Sequence, residues 1–167
     1  MVAPSRPAAG AFRFASRLER NIVRRVGEAI ADFSMIEAGD HLMVAVSGGK
    51  DSLSLLELLR RLAARSPVRF SWTAVTVHQG NADFAVAPLE DHYRAGGHAF
   101  VVEHVPIEQI VKAKLAPGTI PCSLCSRLRR GVLYTVASRL GCTKIALGHH
   151  LDDLLETLLM NLCYTGQ

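Results

Sequence analysis

The stretch HLMVAVSGGKDSLSLLELLRRLAAR, residues 41–65, decides the fold. His41–Val46 is an apolar run too short for a helix and reads as a buried strand. Ser47-Gly48-Gly49 makes a sharp turn, and Asp51–Arg65 is a leucine-rich helix whose basic last turn complements the helix dipole, with Pro67 as its stop. Two glycines let backbone N–H groups turn toward an anion with no Cβ in the way. The helix N-terminus adds partial positive charge at the same point. Ser47 and Ser52 offer hydroxyls, Lys50 a point charge for phosphate oxygens, and Asp51 a carboxylate of the kind Mg2+ takes beside phosphates. The spacing is not that of a Walker A loop, nor of the dinucleotide GxGxxG fingerprint.

Outward from this stretch, strand and helix signals alternate. Upstream, residues 1–12 read as a flexible tail and 13–33 as an amphipathic helix, with Phe14, Leu18, Ile22, Val23, Val26 and Ile30 at helical spacing between arginines. Downstream come a strand at Val68–Val77, a helix at Pro88–Ala95 ended by Gly96-Gly97, a strand at Ala99–Val105 and a helix at Ile107–Lys114. After a loop through Pro117-Gly118 and Pro121, the pattern predicts a helix over Ser123–Leu140, a strand over Thr143–Leu147 and a helix over Asp152–Leu162. Such alternation calls for an α/β fold, a parallel sheet covered by helices on both faces, forming one domain over residues 13–167. Ligands in these sheets bind beyond the carboxyl ends of the strands, where Ser47–Ser52 and Gly148–Asp153 both fall.

Composition agrees with a globular domain: 167 residues, 49% hydrophobic and 20% charged. No apolar run reaches the roughly 18 residues of a membrane span, and the first 20 residues lack the apolar core of a secretory signal. Cytoplasm is the expected location, and no membrane partner is expected. Six arginines in the first 30 residues, which faintly resemble a transit peptide, read more simply as a basic surface helix. Set against Glu19 and Glu28, they account for the whole net charge of +4. A second basic zone spans Gln109–Leu151, with Lys112, Lys114, Arg127, Arg129, Arg130, Arg139 and Lys144 and no Asp or Glu. Two such zones suit a polyanion such as RNA, and Arg127, Arg129 and Arg130 are the candidate contacts.

Four cysteines lie at 122, 125, 142 and 163. Cys122 and Cys125 form a CxxC pair at a helix start, beside three arginines, where thiolates are favoured. Two thiolates at this spacing can share a metal centre but do not complete one. Cys142 and Cys163 read as structural.

SGGKDS at 47–52 resembles the signature of the PP-loop ATP pyrophosphatases, whose fold is an adenine-nucleotide α-hydrolase-like sandwich. The resemblance implies cleavage of ATP to AMP and pyrophosphate while a carbonyl oxygen is adenylated, with Lys50 and Asp51 as catalytic residues. PCSLCSRLRRG at 121–131 and GHHLDDLLET at 148–157 further resemble the tRNA 2-thiocytidine synthetase group. That likeness implies ATP, Mg2+ and a 4Fe-4S cluster as cofactors, with Cys122 and Cys125 as two of three cluster cysteines. It also implies Asp152 at the Mg2+–ATP site, His149 shaping the ATP site, and tRNA as substrate. A sulfur donor such as a cysteine desulfurase and a possible homodimer complete the expected partners. Two departures stand out: the third cluster cysteine of the group lies beyond Gln167, and His78-Gln79 replaces the usual Asp-Gln. The chain therefore reads as the N-terminal half of a longer protein, or as a shortened homologue. The alternatives are another PP-loop adenylating enzyme, either lysidine synthetase-like or an amide-forming ligase, and a non-catalytic RNA- or zinc-binding module. In that module Cys122 and Cys125 join His149 or His150.

Overall fold

Strand β1 (His41–Ala45) pairs in parallel with β2 (Ser71–His78) on one side and with β4 (Lys144–Leu147) on the other, while β3 (Phe100–His104) extends the sheet beyond β2. The order is therefore β3-β2-β1-β4, all parallel. These elements belong to a computed structural model that describes residues 2–6, 16–81, 84–115 and 122–164. Six helices connect and flank the strands: α1 (Arg17–Asp32), α2 (Lys50–Ala63), α3 (Ala87–Ala95), α4 (Ile107–Lys114), α5 (Cys122–Arg139) and α6 (Leu151–Tyr164).

Both sheet faces are covered, as the alternation requires. On one face Leu56, Leu59 and Ala63 of α2 and Leu89 and Tyr93 of α3 pack on Leu42, Val44, Trp72 and Ala74. On the other, Val136 and Ala137 of α5 meet Met43 and Val75. Alternate residues of β1 thus serve opposite cores, the period of two that a pleated strand imposes. α1 lies outside α2, with Gly27 against Leu62 and Glu19 paired to Arg61.

The differences from the sequence reading are local. β2 begins at Ser71 rather than Val68, because β1 offers its first partner, His41, only there. α1 starts at Arg17, capped by the Ser16 hydroxyl accepting from the Glu19 N–H at 3.1 Å; the earlier positions expected in this helix, Phe14 among them, lie outside the described residues, as does the loop at 116–121. Ser5 also departs from the expected loose tail: it exchanges backbone hydrogen bonds with Trp72, and its buried hydroxyl accepts from the Ala99 N–H.

Below α3, His98 is buried, and its Nδ1 accepts from Trp72 Nε1–H at 3.3 Å. Burial, helped by the nearby Arg60 charge, pushes its pKa below the ordinary histidine value of 6.5. The unfolded chain then binds a proton that the folded chain refuses, so stability rises with pH across the window just below 6.5 and is lost on acidification. His41, whose pKa burial also lowers, acts in the same direction. Melting temperature should fall between pH 7.5 and 5.5, and His98→Gln should lose less over that interval. An identical pH profile for the variant would exclude His98 as a contributor.

Candidate active site

Val46 stays in line with the sheet, its N–H donating to Val75 O at 2.9 Å, and the chain then turns at Ser47. Gly48 carries φ +86°, a left-handed conformation that side chains resist, while a Cβ there would meet Phe84 and Leu89 only at ordinary contact distance, 3.4 and 3.5 Å. Inside the turn Ser52 is buried; its hydroxyl donates to Gly49 O at 2.9 Å and accepts from the Ser47 N–H at 3.2 Å. Ser52 therefore closes the loop from within, while Ser47 and Gly49 stand exposed on its outer side. The first-turn amides of α2 have no helical acceptor and remain available to an anion. At the rim the Lys50 ammonium lies 3.0 Å from both oxygens of Asp51, with the two side chains 85% and 47% exposed. A polyphosphate would draw the lysine away and leave the carboxylate for a cation.

Strand β4 delivers the second loop against the first. A Cβ on Gly148 would fall 2.8 Å from Ser52 N, 2.9 Å from Ser52 Cα and 3.0 Å from the Asp51 carbonyl carbon. Only a bare backbone fits there. Beyond it His149 and His150 are exposed, and Asp153 turns back to accept the His150 N–H at 2.8 Å. That hydrogen bond first, then the charges of His150, His149 and Lys50, hold the Asp153 carboxyl below its usual range. Asp153, which the sequence reading did not single out, thus feels the charge of Lys50, as Asp51 does. Asp152 is exposed on the first turn of α6 and makes no hydrogen bond or ion pair among the described residues.

Cys122 and Cys125 sit on the first turn of α5, three residues apart and so on one side of the helix. The Cys125 thiol donates to Gln79 Oε1 at 3.2 Å, which places the pair at the carboxyl end of β2, the strand next to β1. Gln79 is a second residue missed as a site candidate. Its signal was its place at a strand exit, fixed in the structure by Glu108 N–H donating to its carbonyl at 3.1 Å. His78 accepts the Gly80 N–H on Nδ1 at 3.3 Å, and its ring lies 5.0 Å from that of His104, tilted by 43°.

The donor set, two sulfurs from one helix turn with no carboxylate, fits an iron–sulfur centre as two of its ligands. Among the described residues no group of three or more His, Cys, Asp or Glu is close enough to hold a metal ion. Two readings are corrected by this. His149 and His150 do not join the cysteines in a zinc site, and Cys163 neither joins them nor packs as a structural residue: it is exposed on α6. Cys142, half-buried with its thiol pKa raised by burial, is structural as expected.

The three arginines divide by helical position. Arg129 follows Cys122 and Cys125 at i+7 and i+4, on their stripe, whereas Arg127 and Arg130 lie on the outward side; all three are exposed.

A model of the PP-loop domain matches residues 18–166. A protein of Syntrophotalea carbinolica named tRNA-cytidine(32) 2-sulfurtransferase is 51% identical over 150 residues, which are 90% of this chain and 58% of that protein. A protein of the same name from Paracidovorax citrulli is 48% identical over 164 residues, 98% of this chain and 53% of that one. The chain spans about half the length of the curated relatives it matches. The U34-tRNA thiolase NcsA from Methanococcus maripaludis, solved with its 4Fe-4S cluster, superposes with a TM-score of 0.72 over 89% of this chain and 51% of that one. At 24% identity that likeness shows a common fold.

The contact at Gly148 carries a direct expectation. Gly148→Ala should force β4 and α2 apart, lowering stability by about 1–3 kcal/mol and weakening ATP binding. Thermal melting and calorimetry with ATP read the two effects; a variant with unchanged melting and affinity would show that the loops do not depend on this contact.

Proposed function

Because this chain belongs to the PP-loop domain family, we propose that it binds ATP at Ser47–Ser52 and activates a cytidine of a tRNA anticodon loop for 2-thiolation. The observation that carries the reading is the meeting, at one sheet edge, of a phosphate loop and a thiol pair joined to that edge through Gln79. Phosphoryl chemistry needs the first, and sulfur handling the second.

The amides of the first turn of α2, with Ser47 and Lys50, hold the β- and γ-phosphates, and His149 borders the nucleotide. The cytidine C2 carbonyl oxygen attacks the α-phosphorus. The bond from that phosphorus to the bridging oxygen breaks, and pyrophosphate leaves with the bridging oxygen into the same amide cradle. This is stabilisation by charge placed in advance. Asp51 and Asp152 would hold Mg2+, which neutralises phosphate charge when bound. A 4Fe-4S cluster on Cys122 and Cys125 would supply an iron site for the incoming sulfur, which comes from a donor such as a cysteine desulfurase. The donor's persulfide sulfur reaches the hydrosulfide level by taking two electrons from an external thiol reductant, which leaves as a disulfide; that sulfur adds to C2, and AMP departs with the former carbonyl oxygen. Arg127, Arg129 and Arg130 meet the RNA phosphates, with Arg129 nearest the cysteines.

Pyrophosphate release from ATP in the presence of unmodified tRNA should fall about a hundredfold in Lys50→Ala with the fold intact by circular dichroism. Undiminished release would remove the loop from the reaction. For RNA, the slope of log affinity against log salt should shrink by nearly one unit on Arg127→Ala and again on Arg130→Ala. A slope that ignores both substitutions would take the polyanion away from this face.

A further inference from the structure

A single exposed tyrosine on a protein surface means little by itself. The setting of Tyr134 is more specific. At about 100° per residue, Arg127, Arg130, Gly131, Tyr134 and Ser138 fall within one sector of α5 about 100° wide, opposite buried Val136, with buried Ala137 just beyond the edge that Arg130 marks. All five are exposed, and Tyr134 is 65% so. Among the described residues its ring makes no hydrogen bond and no aromatic contact.

We propose that Tyr134 is a stacking platform for an unpaired nucleobase of the RNA loop whose phosphates meet Arg127 and Arg130. The inference rests on the reading of this chain as an RNA-modifying enzyme and adds a base site to it.

Three observations support the placement. Gly131, one turn before Tyr134, leaves open space: a Cβ there would meet nothing within 4 Å, so bare backbone flanks the ring where a planar group can lie. On the far side of Gly131 a cleft of about 450 Å3 opens between α5 and the end of β3, lined by Arg127, Leu128, Val132 and Val105. The acid at its end, Glu103, is neutralised by Arg139 at 2.5 Å, so the surface facing an incoming polyanion carries no unpaired negative charge from either element. Single-stranded nucleic acid is bound by this combination of cations along the backbone and aromatic rings under the bases.

Distance separates this base from the reacting one. Tyr134 follows Cys125 by nine residues, about 14 Å along the helix axis. The base on Tyr134 is therefore a neighbour in the loop rather than the cytidine under modification. Stacking tolerates any base, so the site grips and orients the loop without reading its sequence.

The test is an equilibrium titration, at fixed salt, of an RNA hairpin the size of an anticodon arm with 2-aminopurine in its loop. Tyr134→Ala should weaken binding about tenfold and abolish the change in loop fluorescence, with the salt slope unchanged. Tyr134→Phe should match the native chain, and Gly131→Val, which crowds the platform from beside it, should reproduce the loss. Native affinity and fluorescence in Tyr134→Ala would overturn the proposal while leaving the arginine slopes, and hence RNA binding, standing. A hairpin that the native chain fails to bind would instead sink the functional reading, and the base site with it. If Tyr134→Ala converts a dimer to a monomer in sedimentation and spares the fluorescence change, the ring belongs to self-association and the platform is excluded.

Discussion

The site depends on one steric condition: position 148 has no side chain, so the exit of β4 lies directly on the backbone of Asp51 and Ser52. That contact is available only because β4 returns beside β1, on the side away from β2. From β1 the chain moves one way through β2 to β3, then crosses over to the opposite flank. The two loops meet where the direction of strand order reverses, the place at which open parallel sheets generally bind ligands. The first-turn amides of α2, Lys50 and the His149–Asp153 turn share that place because strand order brings them there.

β4 is short, only four residues, and lies at the edge of the sheet, so its position needs fixing at both ends. Its entry is held by Asp40, which accepts from Thr143 Oγ1 at 2.7 Å, from the Glu37 N–H at 2.8 Å and from Lys144 at 2.9 Å. Burial alone would raise the Asp40 pKa; the Glu37 N–H, Lys144 and Thr143 outweigh it, and the carboxylate stays ionised. Thr143 N–H then donates to His41 O at 2.8 Å, setting the register with β1. With entry and exit both fixed, the four residues between them have little freedom to slide, and the second loop is presented at a set height above the first.

The sheet and the phosphate loop were legible because each rests on local chemistry: an apolar run, two glycines, a leucine helix. Strand and helix limits fell within a few residues for the same reason. What escaped needed a partner distant in sequence. Asp152 and Asp153 look alike in a string, and only the turn after β4 decides which one reaches back to the His150 N–H. Gln79 acquires meaning from Cys125, 46 residues away. The leucines of α6 keep a helical period, yet Leu154, Leu155, Leu158, Leu159 and Leu162 are all exposed among the described residues. Periodicity reports that a helix has an apolar face; it is silent on what meets that face.

The basic run at 127–130 shows how a helix sorts what a sequence lists together. Read as a string, Arg127, Arg129 and Arg130 are one patch of positive charge. Wound at 3.6 residues per turn, they separate onto two stripes. Arg129 shares the side of Cys122 and Cys125, where a fixed cation favours thiolates. Arg127 and Arg130 turn outward with Gly131 and Tyr134, where charge and a flat ring face solvent together. The two stripes thus carry separate cations, Arg129 beside the cysteines and Arg127 with Arg130 beside Tyr134. The sheet edge sets where the helix begins, and the helical repeat alone then assigns each residue to its stripe.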